Sequence, residues 1–291
     1  MKILVTGKTG QVGYELERSL QGLGEIISVD RSQMDLADLT QVRDVIRAVK
    51  PNLIVNPAAY TAVDKAETEF ELAMRINGEA PGVMAEEAKK LGAAIIHYST
   101  DYVFDGTKNV PYSEDDSTCP VNAYGRSKLA GEQAIQAAGI PHLILRTSWV
   151  YGMRGKNFLL TVLRLAQDRP ELRIVGDQQG APTWCRTIAD TTAHIMAQAA
   201  GARGIEDWWQ EKSGLYHLTA RGQTTWAGFA EAILANAISS KKPIVTAITT
   251  QEYPLPAKRP EYSLMSTKKL ADTFQIIEPE WNKALAYCQA N

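Results

Sequence analysis

The chain has 291 residues, of which 45% are hydrophobic and 22% are charged, and its formal net charge is −2. A chain of this length can bury the core of one large domain or of two joined ones. The near balance of acidic and basic residues argues against nucleic acid or an anionic membrane as a partner. Cys119, Cys185 and Cys288 are widely separated and lack metal-ligand spacing, so we expect free thiols in a reducing compartment.

The first residues, MKILVTG, form an apolar run that leads directly into a glycine turn. The sequence has no pattern typical of a signal peptide, and no apolar run approaches the ~18 residues that a membrane span requires. We therefore expect a cytoplasmic protein that does not span a membrane.

Short apolar runs alternate with longer helix-like segments through the first 150 residues. The runs are rich in Ile, Val and Leu and do not alternate with polar residues, which is typical of strands covered on both faces. They lie at 3–6, 26–29, 53–56, 94–99 and 143–147, and the helical patterns between them include 12–23, 39–49 and 70–91. This order predicts an α/β fold, a Rossmann-like doubly wound parallel sheet with right-handed crossovers.

A glycine-rich loop, Gly7-Lys-Thr-Gly10-Gln-Val-Gly13, follows the first predicted strand. The fragment GKT suggests a P-loop, but that motif requires a glycine five residues before Gly7, where the chain has Lys2. Between a strand and a helix, such glycines allow the backbone to approach a pyrophosphate at the helix N-terminus. The alternative is that they serve only a tight turn.

The ends of the second and third predicted strands support the nucleotide hypothesis. Asp30 ends the second strand, twenty residues after Gly10, where an acidic residue reaches the adenosine ribose. A carboxylate there favours NADH, whereas the neighbouring Arg31 could pair with the 2′-phosphate of NADPH, so the sequence leaves this choice open. The third strand ends in small residues at 57–59, which would let a cofactor lie against it.

The fourth predicted strand ends in HYSTD at 97–101, and the next helix carries Tyr124 and Lys128. Residues four apart share one helix face. An ammonium beside a phenol stabilises the phenolate and so lowers the pKa of the phenol, and each pKa unit corresponds to ~1.36 kcal/mol of differential interaction. Taken alone, the pair could belong to an ordinary amphipathic helix. Because the chain also has the glycine loop and Asp30, we expect Tyr124 to donate a proton to a substrate oxygen and Lys128 to tune its pKa. We expect Thr100 to hydrogen-bond the same oxygen.

The regular alternation stops after Tyr151, although helical patterns continue at 158–166, 188–199 and 226–237. Extended runs at 172–175 and 215–218 could return to the main sheet. We therefore expect a dinucleotide-binding domain over residues 1–150 and a smaller, interwoven C-terminal substrate lobe over residues 151–291.

Two motifs, TGxxGxxG at 6–13 and YxxxK at 124–128, resemble the extended short-chain dehydrogenase/reductase family. Longer stretches, NPAAYTAVDKAE (56–67), HYSTDYVFDG (97–106), RTSWVYG (146–152) and DQQGAPT (177–183), resemble the dTDP-4-dehydrorhamnose reductase branch over nearly the whole chain. The resemblance implies reduction by NADPH or NADH of the C4 ketone of dTDP-4-dehydro-6-deoxy-L-mannose, which gives dTDP-L-rhamnose for cell-surface polysaccharide. A homodimer is compatible with it.

The resemblance also implies roles for individual residues. The cofactor would contact Gly7, Gly10, Gln11, Val12 and Gly13 at the pyrophosphate, Asp30 and Arg31 at the ribose, Asp35 and Leu36 at the adenine, and Ala58, Ala59, Tyr60, Tyr124 and Lys128 at the nicotinamide side. The sugar nucleotide would contact Thr100, Asp101, Trp149 and Arg259.

Sugar-nucleotide dehydratases of similar sequence carry an Asp-Glu pair after the fourth strand, whereas Tyr102 follows Asp101 here, so we do not expect elimination chemistry. Some relatives bind Mg²⁺ between subunits through glutamates. Glu15 could match one of these, but Arg186 stands where an acid is wanted, so we expect no metal site.

Two alternatives stay open. One is a reductase or epimerase of another nucleotide sugar, and the other is a non-catalytic nucleotide-binding subunit, such as the regulatory β subunit of methionine adenosyltransferase, which resembles the same branch.

Overall fold

Strands and helices alternate along the computed structural model, which describes residues 1–237 and 242–290; residues 238–241 and 291 of the predicted C-terminal lobe lie outside it. The strands are β1 (Lys2–Val5), β2 (Glu25–Ser28), β3 (Leu53–Asn56), β4 (Ala94–Thr100), β5 (His142–Thr147), β6 (Val150–Tyr151), β7 (Glu171–Val175), β8 (Gln179–Gly180), β9 (Thr183–Trp184), β10 (Gly214–His217), β11 (Thr224–Thr225) and β12 (Ile244–Ile248).

The α-helices are α1 (Gln11–Ser19), α2 (Leu39–Val49), α3 (Phe70–Met74), α4 (Ala80–Leu91), α5 (Ala123–Ala138), α6 (Phe158–Asp168), α7 (Cys185–Gly201), α8 (Ile205–Lys212), α9 (Trp226–Asn236), α10 (Lys268–Phe274) and α11 (Trp281–Ala290). A π-helical segment, Arg75–Glu79, joins α3 to α4, so the predicted helix at 70–91 is continuous but locally widened. Across the described residues, every helix is too short or too polar to cross a bilayer.

Six strands form a parallel sheet in the order β10-β5-β4-β3-β1-β2. One hydrophobic cluster packs α1 and α7 against one face, and a second packs α2, α4 and α5 against the other. The strand order reverses at β1, since β2 lies on one side of it and β3 on the other. Ligands of such sheets bind beyond the carboxyl ends of the strands at this point. The predicted doubly wound α/β fold is confirmed.

The second half of the chain builds a third hydrophobic cluster from β6, α6, β7, α9 and α11. The predicted run at 215–218 does return to the main sheet, as β10. The suggestion that the run at 172–175 also joins it is wrong, because β7 pairs in parallel with β12. Leu172 is buried within the third cluster, which holds this strand away from the main sheet. The domain boundary at residue 150 stays a prediction, and α7 from beyond it packs on α1.

Candidate active site

The glycine loop is shaped by positions where a side chain would collide with backbone. Gly7 has φ +63°, and a Cβ there would lie 3.0 Å from the Cβ of Ala58. A Cβ on Gly13 would lie 2.2 Å from the carbonyl oxygen of Gly7. Helix α1 begins directly after Gly10, whose lack of a side chain leaves the first-turn N–H groups without a side-chain cap. Uncapped N–H groups at a helix N-terminus form an anion site, which fits a pyrophosphate.

A cleft of about 580 Å³ runs from this loop past the ends of β2 and β3 to α5. Every residue predicted to contact the cofactor lines it: Gly7, Gly10, Gln11, Val12, Gly13, Asp30, Arg31, Asp35, Leu36, Ala58, Ala59, Tyr60, Tyr124 and Lys128. The structure therefore brings these residues together, and their individual roles stay predictions.

The carboxylate of Asp30 is fixed at the edge of the cleft. It accepts hydrogen bonds from the backbone N–H of Ser32 at 2.9 Å and from its hydroxyl at 2.6 Å. These bonds, with a smaller contribution from Lys8 at 3.6 Å, hold the pKa of Asp30 below its usual value. Arg31 is highly exposed and pairs with Asp35 at 3.1 Å. An anion and a cation thus stand side by side where the ribose would lie.

The start of helix α5, which carries Tyr124, is held by its own N-cap residue Asn122 and by contacts with two distant parts of the chain. The Asn122 side chain accepts from the N–H of Gly125 and donates to the carbonyl of Lys258, both at 2.8 Å. The Glu67 carboxylate accepts from the N–H of Ala123 at 2.8 Å. These bonds satisfy the first turn of the helix, which therefore holds Tyr124 at a defined depth in the cleft.

Burial raises the pKa of Tyr124 to about 12, and a contact with the Thr100 hydroxyl opposes part of this shift. The charge of Asp101 adds to the rise, and the tuning of this phenol by the Lys128 ammonium stays a prediction. Lys128 Nζ lies 2.6 Å from the carbonyl oxygen of Tyr98 and 3.2 Å from His97 Nε2. Its own pKa is lowered by burial to about 8. The i, i+4 spacing placed both residues on one face, but β4 supplies the partners of the lysine.

Thr100 is the last residue of β4, and Asp101 follows it directly. Both lie next to Tyr124. The Thr100 hydroxyl donates to Asp101 Oδ1 at 3.1 Å, and burial raises the pKa of Asp101 to about 6. The ring of Tyr102 lies edge-on to the ring of Tyr124, with centroids 5.6 Å apart. The two predicted substrate residues therefore reach the phenol from the β4 side.

All four predicted substrate residues, Thr100 and Asp101 included, lie outside the lining of the cleft. Trp149 adopts φ +47°, and its ring stacks on the ring of Trp226 with centroids 3.6 Å apart. The ring of Trp149 also packs on Gly180, where a Cβ would lie 2.4 Å from it. The side chain of Arg259 is 13% exposed, and its guanidinium pairs with the Asp64 carboxylate at 2.9 Å.

Several residues of the site escaped the sequence interpretation. Asn77, in the π-helical segment, bonds both backbone groups of Tyr60 and the hydroxyl of Ser127, and so joins the cleft wall to α5. His97 contacts Lys128. Neither residue could be found from the sequence, because each contact joins residues of different elements.

The cleft also contains buried polar atoms that need a ligand. Among the described residues, Ser99 Oγ and Thr147 Oγ1 make no hydrogen bond, although both residues line the cleft. Buried polar groups are normally paired. Together with the glycine loop, the uncapped helix and Asp30, these hydroxyls fit a dinucleotide with its reactive end near Tyr124.

The comparisons agree with this geometry over the whole chain. Residues 1–291 match the family model described as RmlD substrate binding domain. A dTDP-4-dehydrorhamnose reductase from Burkholderia thailandensis is 50% identical, with 99% of this chain and 98% of that protein covered. A crystal structure of such a reductase from Clostridium acetobutylicum has a TM-score of 0.90 at 37% identity, covering 99% of this chain and 98% of that one. The Bacillus anthracis reductase in complex with NADP has a TM-score of 0.90 at 32% identity, with the same coverage. The chain therefore belongs to the dTDP-4-dehydrorhamnose reductase family, within the oxidoreductases of the extended short-chain dehydrogenase/reductase type.

Proposed function

We propose that this enzyme reduces the C4 ketone of dTDP-4-dehydro-6-deoxy-L-mannose to dTDP-L-rhamnose. The names of its relatives support the reaction and the substrate class. Asp101 is followed by Tyr102 in the 3₁₀ turn Asp101–Val103, so no carboxylate neighbours Asp101 in the chain for an elimination. This favours simple reduction over dehydration.

Tyr124 is the proton donor of the proposed reaction, and its half-buried position in the cleft wall beside Thr100 is the observation that carries the proposal. NADPH or NADH, when bound, supplies hydride to C4. The C4 oxygen then becomes an alkoxide and takes the phenol proton. A pKa of about 12 keeps the phenol protonated at neutral pH, as a general acid must be. When the substrate is bound, the Thr100 hydroxyl turns its proton from Asp101 to the same oxygen and fixes its position.

The glycine loop and the N-terminus of α1 hold the cofactor pyrophosphate. Asp30 and Arg31 bind the adenosine ribose, and Lys128 binds the nicotinamide ribose. Asp101 and Trp149 contact the sugar nucleotide, and Arg259 contacts its diphosphate. Residues 1–150 form the dinucleotide-binding domain and residues 151–291 most of the substrate lobe. The enzyme acts in the cytoplasm, as a monomer or a homodimer, upstream of cell-surface polysaccharide synthesis.

The test is oxidation of NADPH and of NADH by the purified protein, followed by the loss of nicotinamide absorbance. The substrate is dTDP-4-dehydro-6-deoxyglucose with its 3,5-epimerase, and a control omits the epimerase. Oxidation that requires the epimerase and yields dTDP-rhamnose supports the proposal. In Tyr124→Phe we expect turnover to fall by roughly 10²–10⁴-fold while cofactor binding is kept, because only the acid is removed.

Tyr216→Phe is the matched control, since it removes a phenol on the edge strand β10 that donates to the Lys212 carbonyl at 2.8 Å. This variant should keep turnover. Tight cofactor binding without oxidation of either cofactor would contradict the proposal and favour another sugar nucleotide or a non-catalytic role. Unchanged turnover in Tyr124→Phe would remove Tyr124 as the acid.

A further inference from the structure

A chain of buried polar side chains links the start of the glycine loop to Lys128. The Thr6 hydroxyl donates to Asn56 Oδ1 at 2.7 Å, and Asn56 Nδ2 lies 3.0 Å from His97 Nδ1. His97 Nε2 lies 3.2 Å from Lys128 Nζ. All four residues are at most 2% exposed. The imidazole therefore has one partner on each nitrogen and no contact with water.

The sheet fixes this chain in place. Thr6 follows β1, Asn56 ends β3, and His97 stands directly opposite Asn56 in β4. Three adjacent strands thus each contribute one buried polar side chain: Thr6 and Asn56 stand at the carboxyl ends of β1 and β3, and His97 stands in the middle of β4. Burying polar groups is costly unless they are paired, so the row needs a reason beyond packing. Lys128, at its end, provides one.

We propose that His97 is the positioning residue of Lys128, and that it holds the ammonium through Nε2 so that Lys128 faces the cleft. The inference rests on the proposed function, in which Lys128 binds the nicotinamide ribose. An ammonium has three N–H donors. Two are satisfied by the Tyr98 carbonyl and by His97, so one is left for a ligand in the cleft.

The protonation states fit this arrangement. Burial, with the charge of Lys128, holds the pKa of His97 well below its usual value, so the ring is neutral and can accept at Nε2. The proton is then on Nδ1, and the Asn56 amide is reversed from the orientation with Nδ2 at His97, so that its oxygen accepts from Nδ1 and its nitrogen donates to the Thr6 hydroxyl. Nothing else on β4 offers Lys128 a side-chain acceptor among the described residues.

The other groups around Lys128 set its charge but do not hold it. On α5, Tyr124 lies one turn before it and Glu132 one turn after it. Glu132 favours the ammonium, but its two carboxylate oxygens bind Arg146 of β5 at 2.9 and 2.7 Å. His97 and the Tyr98 carbonyl face it from β4. Removing the His97 acceptor therefore lowers the pKa of Lys128, and the ammonium is lost at a lower pH.

The test uses two amides of different reach at position 97. In His97→Gln the side-chain amide reaches the former Nε2 position and can still accept from Lys128. In His97→Asn it reaches only the former Nδ1 position and contacts Asn56 alone. The measurements are kcat and KM against pH, the dissociation constant of NADPH or NADH from nicotinamide fluorescence, and the melting temperature.

We expect His97→Asn to weaken cofactor binding and lower kcat by roughly tenfold, as for loss of a hydrogen bond to a charged group. The alkaline limb of its pH profile should move to lower pH. His97→Gln should restore binding and the position of this limb. Equal losses in both variants with an unmoved pH limb would show a merely structural role and overturn the proposal, as would wild-type behaviour of His97→Asn. Cofactor binding is measurable whether or not the proposed substrate is turned over, so a wrong substrate leaves this test intact.

Discussion

At the scale of single residues, burial acts on Tyr124 and Lys128 in opposite directions. Taking both from water favours their neutral forms, so the pKa of the phenol rises to about 12 and that of the amine falls to about 8. The sequence predicted that the two share a helix face. It could not predict that His97 and the Tyr98 carbonyl, which come from β4, would be the partners of the lysine. Sequence spacing determines neighbours on one helix, whereas contacts between elements depend on the fold.

We predict that the choice between NADPH and NADH depends on single residues at the end of β2. The anionic carboxylate of Asp30 lines the cleft and would repel a 2′-phosphate, whereas Arg31 is turned toward Asp35. In Asp30→Asn we expect the ratio of kcat/KM for NADPH over NADH to rise several-fold, because the repulsion is removed. Asp44→Asn, an exposed position on α2, should leave the ratio unchanged. An unchanged ratio in Asp30→Asn would mean that the ribose lies elsewhere.

At the scale of elements, the apolar runs in the sequence predicted the strands, because strand formation here depends on local sequence. The five apolar runs of the first half became β1 to β5 within a residue or two, because strands buried on both faces leave a continuous apolar signature. The partner of β7 was not predictable, since β12 begins some seventy residues later. The π-helical segment is a similar case, because its Asn77 is held by Tyr60 and Ser127 rather than by its own helix.

The contact between α5 and this segment gives a stability prediction. Gly131 lets the two backbones approach, since a Cβ there would lie 2.2 Å from the carbonyl oxygen of Asn77. Gly131→Ala must push them apart, and we expect a loss of roughly 1–3 kcal/mol in the free energy of unfolding. Gly201→Ala, in the last turn of α7 with open space around it, should be neutral or slightly stabilising. Urea unfolding of both variants measures this. If Gly131→Ala matches Gly201→Ala, the close approach does not matter for stability.

At the scale of the whole molecule, the second half of the chain completes the first. Segment 257–262 binds the start of α5 through the Lys258 carbonyl and the loop after β3 through Arg259. Gly106 is packed so closely on Pro260 that a Cβ would lie 2.7 Å away. None of these contacts could be predicted from the sequence, because each joins residues more than a hundred positions apart. They tie the C-terminal part of the chain to α5 and to the loops after β3 and β4.

A second long-range contact makes stability depend on pH. Glu278, between α10 and α11, is 3% exposed and accepts from the Thr191 hydroxyl of α7 at 2.8 Å. Burial, opposed by this bond, raises the pKa of its carboxyl to about 7. The folded state therefore holds a proton that the unfolded chain releases at lower pH. The resulting stabilisation is fully present below the usual pKa of a glutamate and is lost as pH rises through about 7.

Replacing Glu278 by Gln should remove this dependence. Between about pH 5 and pH 8 we expect the wild type to lose on the order of 3 kcal/mol relative to Glu278→Gln, at 1.36 kcal/mol per pKa unit. Urea unfolding at a series of pH values measures the difference, in which the contributions of distant titrating groups cancel. Glu231→Gln, on the exposed side of α9, should follow the wild-type curve. Parallel curves for wild type and Glu278→Gln would mean that Glu278 is already ionised in the folded protein, and that water or a cation reaches it between α7 and the C-terminal segment.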